Sequence, residues 1–252
     1  MNFEHLHVQK EPLLICNVWD VASAKVAEAV GFQAIATSSG AIASMLGYQD
    51  GEEMTFAELH YIVKRITECV KLPLSVDMEA GYDRDPEQIA AHVSQLLELG
   101  IVGVNLEDSL VQKERHLLDG VEFANHLAAI ISHLGVQAKR LFINVRTDTY
   151  LLGIEDALQQ TLERAQRYQA AGADGLFVPC LQKEEDIRLI TKQKQLPLNV
   201  MCVPNLPAFS SLQSLGVKRI SMGNFVQSHM LRQMQSSLQE IVKNQAFSSL
   251  FQ

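Results

Sequence analysis

The chain has 252 residues, 47% hydrophobic and 20% charged, which is enough apolar material to bury a full core. Its 21 basic against 29 acidic residues give a net charge of −8 with no basic block. That balance excludes a nucleic-acid groove or an anionic membrane surface as the default partner and leaves small-molecule chemistry.

The four cysteines, Cys16, Cys69, Cys180 and Cys202, are widely spaced with no CxxC or Cys/His pattern. Free thiols in a reducing compartment are therefore expected, with neither a disulfide nor a zinc site. Near the start, Glu4, His5 and His7 stand where a signal peptide would carry a basic residue and an apolar stretch. No apolar run approaches the ~20 residues that span a bilayer as a helix. The expectation is a cytoplasmic protein with no membrane partner.

In chain order, Pro12 introduces a strand at 13–18 and a helix follows at 21–30, ended by Gly31. A second strand at 33–36 leads through Ser38-Ser39-Gly40 and a loop to a helix at 56–70. Pro73 opens a third strand at 74–77, followed by a helix at 86–99, a strand at 102–105 and a helix at 121–134. The pattern repeats with a strand at 141–146, a helix at 154–171, a strand at 175–178 and a helix at 184–192. It closes with a strand at 198–203, a helix at 208–215, a strand at 219–222 and a last helix at 225–243. In the helix at 154–171, Ala157, Thr161, Ala165 and Tyr168 share one face, and Glu155, Glu163, Arg164 and Arg167 are expected to face water.

Eight strand–helix units in this length predict an α/β fold, a (β/α)8 TIM barrel, as a single domain over 1–252. The alternative is an open doubly wound sheet, whose first turn would carry a glycine-rich phosphate fingerprint. Asn17-Val18-Trp19-Asp20 stands there instead.

In such a barrel, chemistry belongs to the loops after the strands. The strand ends offer Trp19, then Ser38, Ser39 and Gly40, with Asp50 further along that loop. They continue with Asp77, Glu79 and Asp83, then Glu107 and Asp108, Arg146 and Asp148, Pro179 and Cys180, and Asn205. If the backbone stays extended, the carboxylates of Asp77 and Glu79, two residues apart, point the same way and can share a cation. Acids from the third and fourth strands beside Arg146 make a cation site next to an anion clamp, and all-oxygen ligands favour Mg²⁺ or Mn²⁺. The ordinary alternatives are helix N-caps for the acids, a structural ion pair for Arg146 and a simple turn at Ser38-Ser39-Gly40.

Several motifs together resemble the isocitrate lyase and phosphoenolpyruvate mutase superfamily, over nearly the whole chain. They are Ser38-Ser39-Gly40, Leu46-Gly47-Tyr48-Gln49-Asp50, Val76-Asp77-Met78-Glu79-Ala80-Gly81-Tyr82, Asn105-Leu106-Glu107-Asp108, Val145-Arg146-Thr147-Asp148 and the ending Gly216 to Gly223. The resemblance implies a Mg²⁺-dependent enzyme acting on a small 2-oxo or enol carboxylate. It implies that Asp77 holds the metal, largely through water, with Glu79 and Glu107 supporting it. It further implies that Asp50 lies on a mobile loop near the reacting bond, that the Ser38–Gly40 turn binds a carboxylate and that Arg146 binds the anionic end.

The loop after the fourth strand departs from the superfamily's lyases, which carry a cysteine-containing Lys-Lys/Arg-Cys-Gly-His motif there. It is nearer the gate of the mutases and phosphonopyruvate hydrolases, with Lys113 and Leu117-Leu118-Asp119-Gly120. Arg115 stands where those enzymes have a functional asparagine, and His116 lies beside it. Residues 109–118 and the Asp50 loop lack apolar anchors at helical spacing and are expected to be a mobile gate. Three readings stay open: a mutase-like enzyme making or breaking a C–P or C–C bond, an oxaloacetate-type hydrolase or C–C lyase, and a non-catalytic binding barrel. The last helix carries more apolar residues than one barrel-facing stripe needs, and Phe247, Leu250 and Phe251 follow it. A homo-oligomer, dimer or tetramer, built around that helix is expected, and the resemblance implies its exchange between subunits.

Overall fold

The computed structural model describes residues 3–193 and 196–251; Met1, Asn2 and Gln252, the outermost residues of the span expected to form a single domain, lie outside the described residues. The first strand is split into β1 (Leu13–Leu14) and β2 (Cys16–Val18), and is followed by α1 (Val21–Val30) and β3 (Ile35–Thr37). Next come α2 (Ser39–Leu46), α3 (Phe56–Thr67), β4 (Leu74–Asp77), α4 (Pro86–Glu98) and β5 (Gly103–Glu107). A short hairpin of β6 (Ser109–Val111) and β7 (Arg115–Leu117) precedes α5 (Gly120–Leu134), β8 (Phe142–Arg146), α6 (Ala157–Ala171) and β9 (Gly175–Val178). The chain ends with α7 (Glu184–Lys192), β10 (Leu198–Met201), α8 (Phe209–Ser214), β11 (Arg219–Ser221) and α9 (Phe225–Asn244).

All neighbours in the large sheet are parallel, in the order β1-β11-β10-β9-β8-β5-β4-β3-β2. Its two ends are adjacent in sequence: Leu13 pairs with Arg219, Cys16 pairs with Ile35, and only Ile15 lies between β1 and β2. The sheet therefore curls into the α/β barrel expected from the strand–helix repeat. Outward-facing Val76, Val104, Val145, Val178 and Val200 bury against the helices in one large core. Strand alternation turns Asn105, Asn144 and Asn199 inward, where the Asn144 amide donates to the side-chain oxygens of the other two at 2.9 and 3.2 Å. The foot of the barrel is plugged by Phe3 and Leu6 against Leu13, Ile15, Ala36 and Phe142.

Local signals set the helix limits. Asp20 and Ser23 form a capping box at α1, as Thr55 and Glu58 do at α3, and Pro86 begins α4. Gly31 and Gly172 end α1 and α6 in the left-handed conformation.

Three expectations are corrected. Ser39–Leu46 is a helix, because Ser38 is its N-cap, its Oγ accepting from the Ala41 amide at 3.3 Å; small residues hid it. The stretch at 109–118, where no strand was expected, holds an antiparallel pairing, with Leu110 opposite His116 and Val111 opposite Arg115. Arg164, expected in water, is only 5% exposed: its guanidinium donates to Asp108 Oδ2 (3.0 Å), Tyr168 Oη (2.9 Å) and the Leu118 carbonyl (2.8 Å).

Candidate active site

At the mouth of the barrel β4 ends on Asp77, β5 on Glu107 and β8 on Arg146, and the register sets Glu107 directly beside Arg146. A cavity of about 290 Å³ opens there. One side is polar, formed by Ser38, Ser39, Gly40, Asp50, Asp77, Asn105, Arg115 and Arg146. The other is largely apolar, formed by Leu151, Phe177, Pro179, Met201, Val203 and Phe225.

Asp77 is fixed by α2. Its Oδ2 accepts from the Ser39 amide (3.2 Å) and hydroxyl (2.8 Å), while its own amide donates to Thr37 Oγ1 (2.8 Å). Glu79 does not extend the strand: its φ is 49°, so the alternation that would aim it alongside Asp77 is broken. It is buried behind the cavity, accepting from Tyr82 Oη at 3.1 Å, and its Oε2 has no hydrogen-bond partner. Burial, and then the charges of Asp50, Asp77 and Glu107, push its pKa up to about 9. The sharp turn that follows requires Gly81, at φ 108°, where a Cβ would come within 2.8 Å of Ile89.

The two arginines share their carboxylates. Arg146 Nε and Nη2 grip Asp148 at 2.7 and 3.0 Å, and Arg146 Nη1 lies 2.9 Å from Glu107 Oε2, close but not aligned as a hydrogen bond. Arg115 Nη1 reaches Glu107 Oε1, Ser109 Oγ (2.8 Å) and Asp148 Oδ2 (3.1 Å), and its Nη2 reaches Asp50 Oδ2 at 3.3 Å. Thus Arg115 ties the β6–β7 hairpin to the loop after α2. Burial raises Glu107 to about 7 despite Arg146. Burial also pushes Asp148 upward, but the Arg146 charge and hydrogen bonds outweigh it and hold Asp148 below the usual carboxylate range. Asp108 is structural, taken by Tyr168 Oη (2.6 Å), Arg164 and the Asp148 amide.

Of the residues singled out in the sequence, the cavity gathers Ser38, Ser39, Gly40, Asp50, Asp77, Arg115, Arg146, Pro179 and Cys180. Glu79 and Glu107 stand behind it. Trp19 is buried in the core, while Lys113, His116 and Asn205 are exposed and outside the lining. Sequence reasoning missed Leu151, Phe177, Met201 and Phe225. For Phe177, the sign was the strand register, which pairs it with Arg146; that guanidinium lies 5.9 Å from its ring centre.

Among the described residues no three Asp, Glu, His or Cys side chains are placed to enclose an ion. The donor set still fits a hard cation that keeps its waters: Asp77 borders the cavity, and Glu79 Oε2 is a buried oxygen without a hydrogen-bond partner just behind it.

The family model described as phosphoenolpyruvate phosphomutase matches residues 3–242. A Mycobacterium tuberculosis protein named only as uncharacterised is 36% identical over 224 residues, 89% of this chain and 82% of that one. A Burkholderia cenocepacia crystal structure titled as a candidate phosphonomutase superposes with a TM-score of 0.88 at 38% identity, covering 94% of this chain and 97% of that one. An oxaloacetate decarboxylase of Paraburkholderia xenovorans is 28% identical over 242 residues, 92% of this chain and 78% of that one.

Proposed function

The chain belongs to the phosphoenolpyruvate phosphomutase family, within the enzymes of the phosphoenolpyruvate mutase and isocitrate lyase superfamily, and from that premise we propose its reaction. It is a Mg²⁺-dependent enzyme, with Mn²⁺ as a substitute, that makes or breaks a C–P or C–C bond beside the carbonyl of a small 2-oxo or enol carboxylate. The observation that carries this is the cavity's charge arrangement. Arg115 and Arg146 are already matched by Glu107 and Asp148, which leaves Asp77 without a direct cationic partner among the described residues and Asp50 with only the 3.3 Å reach of Arg115. An anionic substrate would meet that acid group unfavourably unless a cation sat between them.

Asp77 would hold the metal, with Glu79 and Glu107 behind it, and the metal when bound would stabilise negative charge on the substrate's oxo or enolate oxygen. The chain's own groups do the rest. With the Ser39 amide taken by Asp77 and the Ala41 amide by Ser38, the Gly40 amide in the turn at the start of α2 would receive a carboxylate, and Arg146, held rigid by Asp148, orients the anionic end. Asp50 and Arg115, joined across the mouth, exclude water when the hairpin is down.

An oxaloacetate-type hydrolase or C–C lyase is the second reading. The apolar wall of Leu151, Phe177, Met201 and Phe225 favours it, because a carbon substituent has a matching surface there. Release of pyruvate or oxalate from a panel of C3 to C6 oxo, hydroxy and phosphono acids, with Mg²⁺ and with chelator, separates the two. No turnover and no ligand-induced rise in melting temperature across the panel would leave a non-catalytic binding barrel.

The free thiols of Cys16, Cys69, Cys180 and Cys202 suit the cytoplasm, and no described helix is long and apolar enough to cross a membrane. A second copy of the chain is the proposed partner. Of the 20 residues in α9 only Gln227 is buried, and Met230, Leu231, Met234, Leu238 and Val242 are 45–71% exposed. An apolar cavity of about 520 Å³ lies at its root, lined by Leu14, Leu206, Phe209, Ile220 and Val226. Exchange of α9 between copies would cover both surfaces. Light scattering on the Leu238→Glu variant should show a smaller species than the parent; an unchanged mass would refute the exchange.

A further inference from the structure

Arg219 is the largest fully buried side chain of the barrel, 1% exposed on β11. Its Nε and Nη1 have no hydrogen-bond partner, and none of the ion pairs among the described residues includes it. A buried cation without a carboxylate is expensive, and barrels are ordinarily filled with branched apolar residues. Its position gives the reason to keep it. Ser221, two residues on and therefore on the same face of the strand, borders the cavity. Arg219 lies one layer lower, about 7 Å further down the strand. Burial lowers its pKa to about 10, which leaves it charged at neutral pH, and Asp77 is the carboxylate that favours its charge. On the far side stands His7, which burial and the Arg219 charge keep neutral.

We propose that Arg219 is an unneutralised cation beneath the cavity floor whose field draws the anionic substrate inward without touching it. A direct salt bridge to Asp77 would occupy Oδ1, the oxygen that Ser39 does not hold; a counter-charge one layer down offsets the acids and leaves Oδ1 available. In the poorly polarisable barrel interior such a charge acts over a longer range than at the surface. Arg219 is thus a positioning residue, and the substrate part of this inference rests on the functional reading above.

Cys180 borders the same cavity and reports its potential without any substrate. Alkylation of Cys180 by iodoacetate and by iodoacetamide, followed by peptide mass spectrometry, gives a rate ratio that depends on local charge, while changes in thiol acidity cancel. The ratio should fall roughly threefold to tenfold in Arg219→Met and Arg219→Gln and stay near the parent value in Arg219→Lys. Arg219→Met should melt no lower than the parent, because a buried charge is replaced by an apolar chain. An unchanged ratio in the neutral variants overturns the inference, and so does failure of both neutral variants to fold, which would make the guanidinium a structural support. Calorimetric titration of oxalate with Mg²⁺ into the unsubstituted protein tests the functional reading separately. Absent binding there counts against that reading, while the Cys180 ratio still decides the role of Arg219.

Discussion

At the mouth of the barrel, Arg115 and Arg146 are held by carboxylates from three segments, whereas at the foot Phe3, Leu6 and His7 press on Phe142 with almost no charge between them. Ion pairs at the mouth can be exchanged for a ligand's charges, because each partner is offered another. Apolar packing at the foot has no such substitute, since the alternative to contact is water or a void. The difference teaches a division of labour: substitutions at the mouth should change turnover and leave the melting curve nearly alone, and substitutions at the foot should do the reverse.

The largest effect tests the first half. Asp77→Ala removes the strand-end acid bordering the cavity, and Mg²⁺-dependent turnover should fall by roughly a thousandfold or more. The barrel should still unfold cooperatively by circular dichroism; a collapsed transition would show that Asp77 holds the fold instead. Phe142→Ala tests the other half. It takes away a ring stacked 3.9 Å from His7 and edge-on to Phe3 at 5.9 Å, and denaturant titration should show a loss of about 3–5 kcal/mol. Turnover per folded molecule should be unchanged, and a matching loss of turnover would erase the division.

The same contrast explains what the sequence made legible. Strands and the helices over them follow from apolar periodicity and glycine caps, so the spans 21–30 and 184–192 coincide with α1 and α7 and 175–178 with β9. The acids and Arg146 at strand ends were legible because topology alone carries them to one rim. What stayed hidden depends on partners distant in sequence. Arg164 looks like any outward charge until Asp108 and Tyr168 are seen around it, and the extended backbone that would align Asp77 with Glu79 is broken by a single left-handed residue. The inward asparagines carry a usable sign, since Val104-Asn105-Leu106-Glu107 alternates polar with apolar.

Arg115→Asn sharpens the comparison at the mouth. Arg115 ties the hairpin to Asp50, beside the packing of Val111 on Gly51, so its loss should raise protease cleavage within 109–118 in the empty protein. It should also weaken binding of dicarboxylates by about tenfold, a change of roughly 1.4 kcal/mol. Equal cleavage before and after substitution would refute the latch. New turnover of phosphonopyruvate or phosphoenolpyruvate would mean that this one position selects between C–P and C–C chemistry.

The smallest effect concerns the foot, where His7 is the buried titratable group of the turn that forms the plug. Its Nδ1 faces the Phe3 carbonyl at 3.1 Å, and its ring is stacked on Phe142. Burial, then the Arg219 charge, lower its pKa from 6.5 to about 3, with the Phe3 carbonyl opposing. Between those values the unfolded chain binds a proton that the folded one refuses, so stability rises with pH there. The contribution is complete above about pH 6.5 and is lost as the pH falls towards 3, amounting to about 2 kcal/mol by pH 5. Glu79 and Glu107, raised to about 9 and about 7, bind protons in the folded state and slope the other way over the same range. The measurement is therefore a difference: denaturant stability of the parent minus that of His7→Phe, from pH 7 to pH 5. That difference should shift by about 2 kcal/mol against the parent on acidification, and a flat difference would mean that the plug admits the imidazolium.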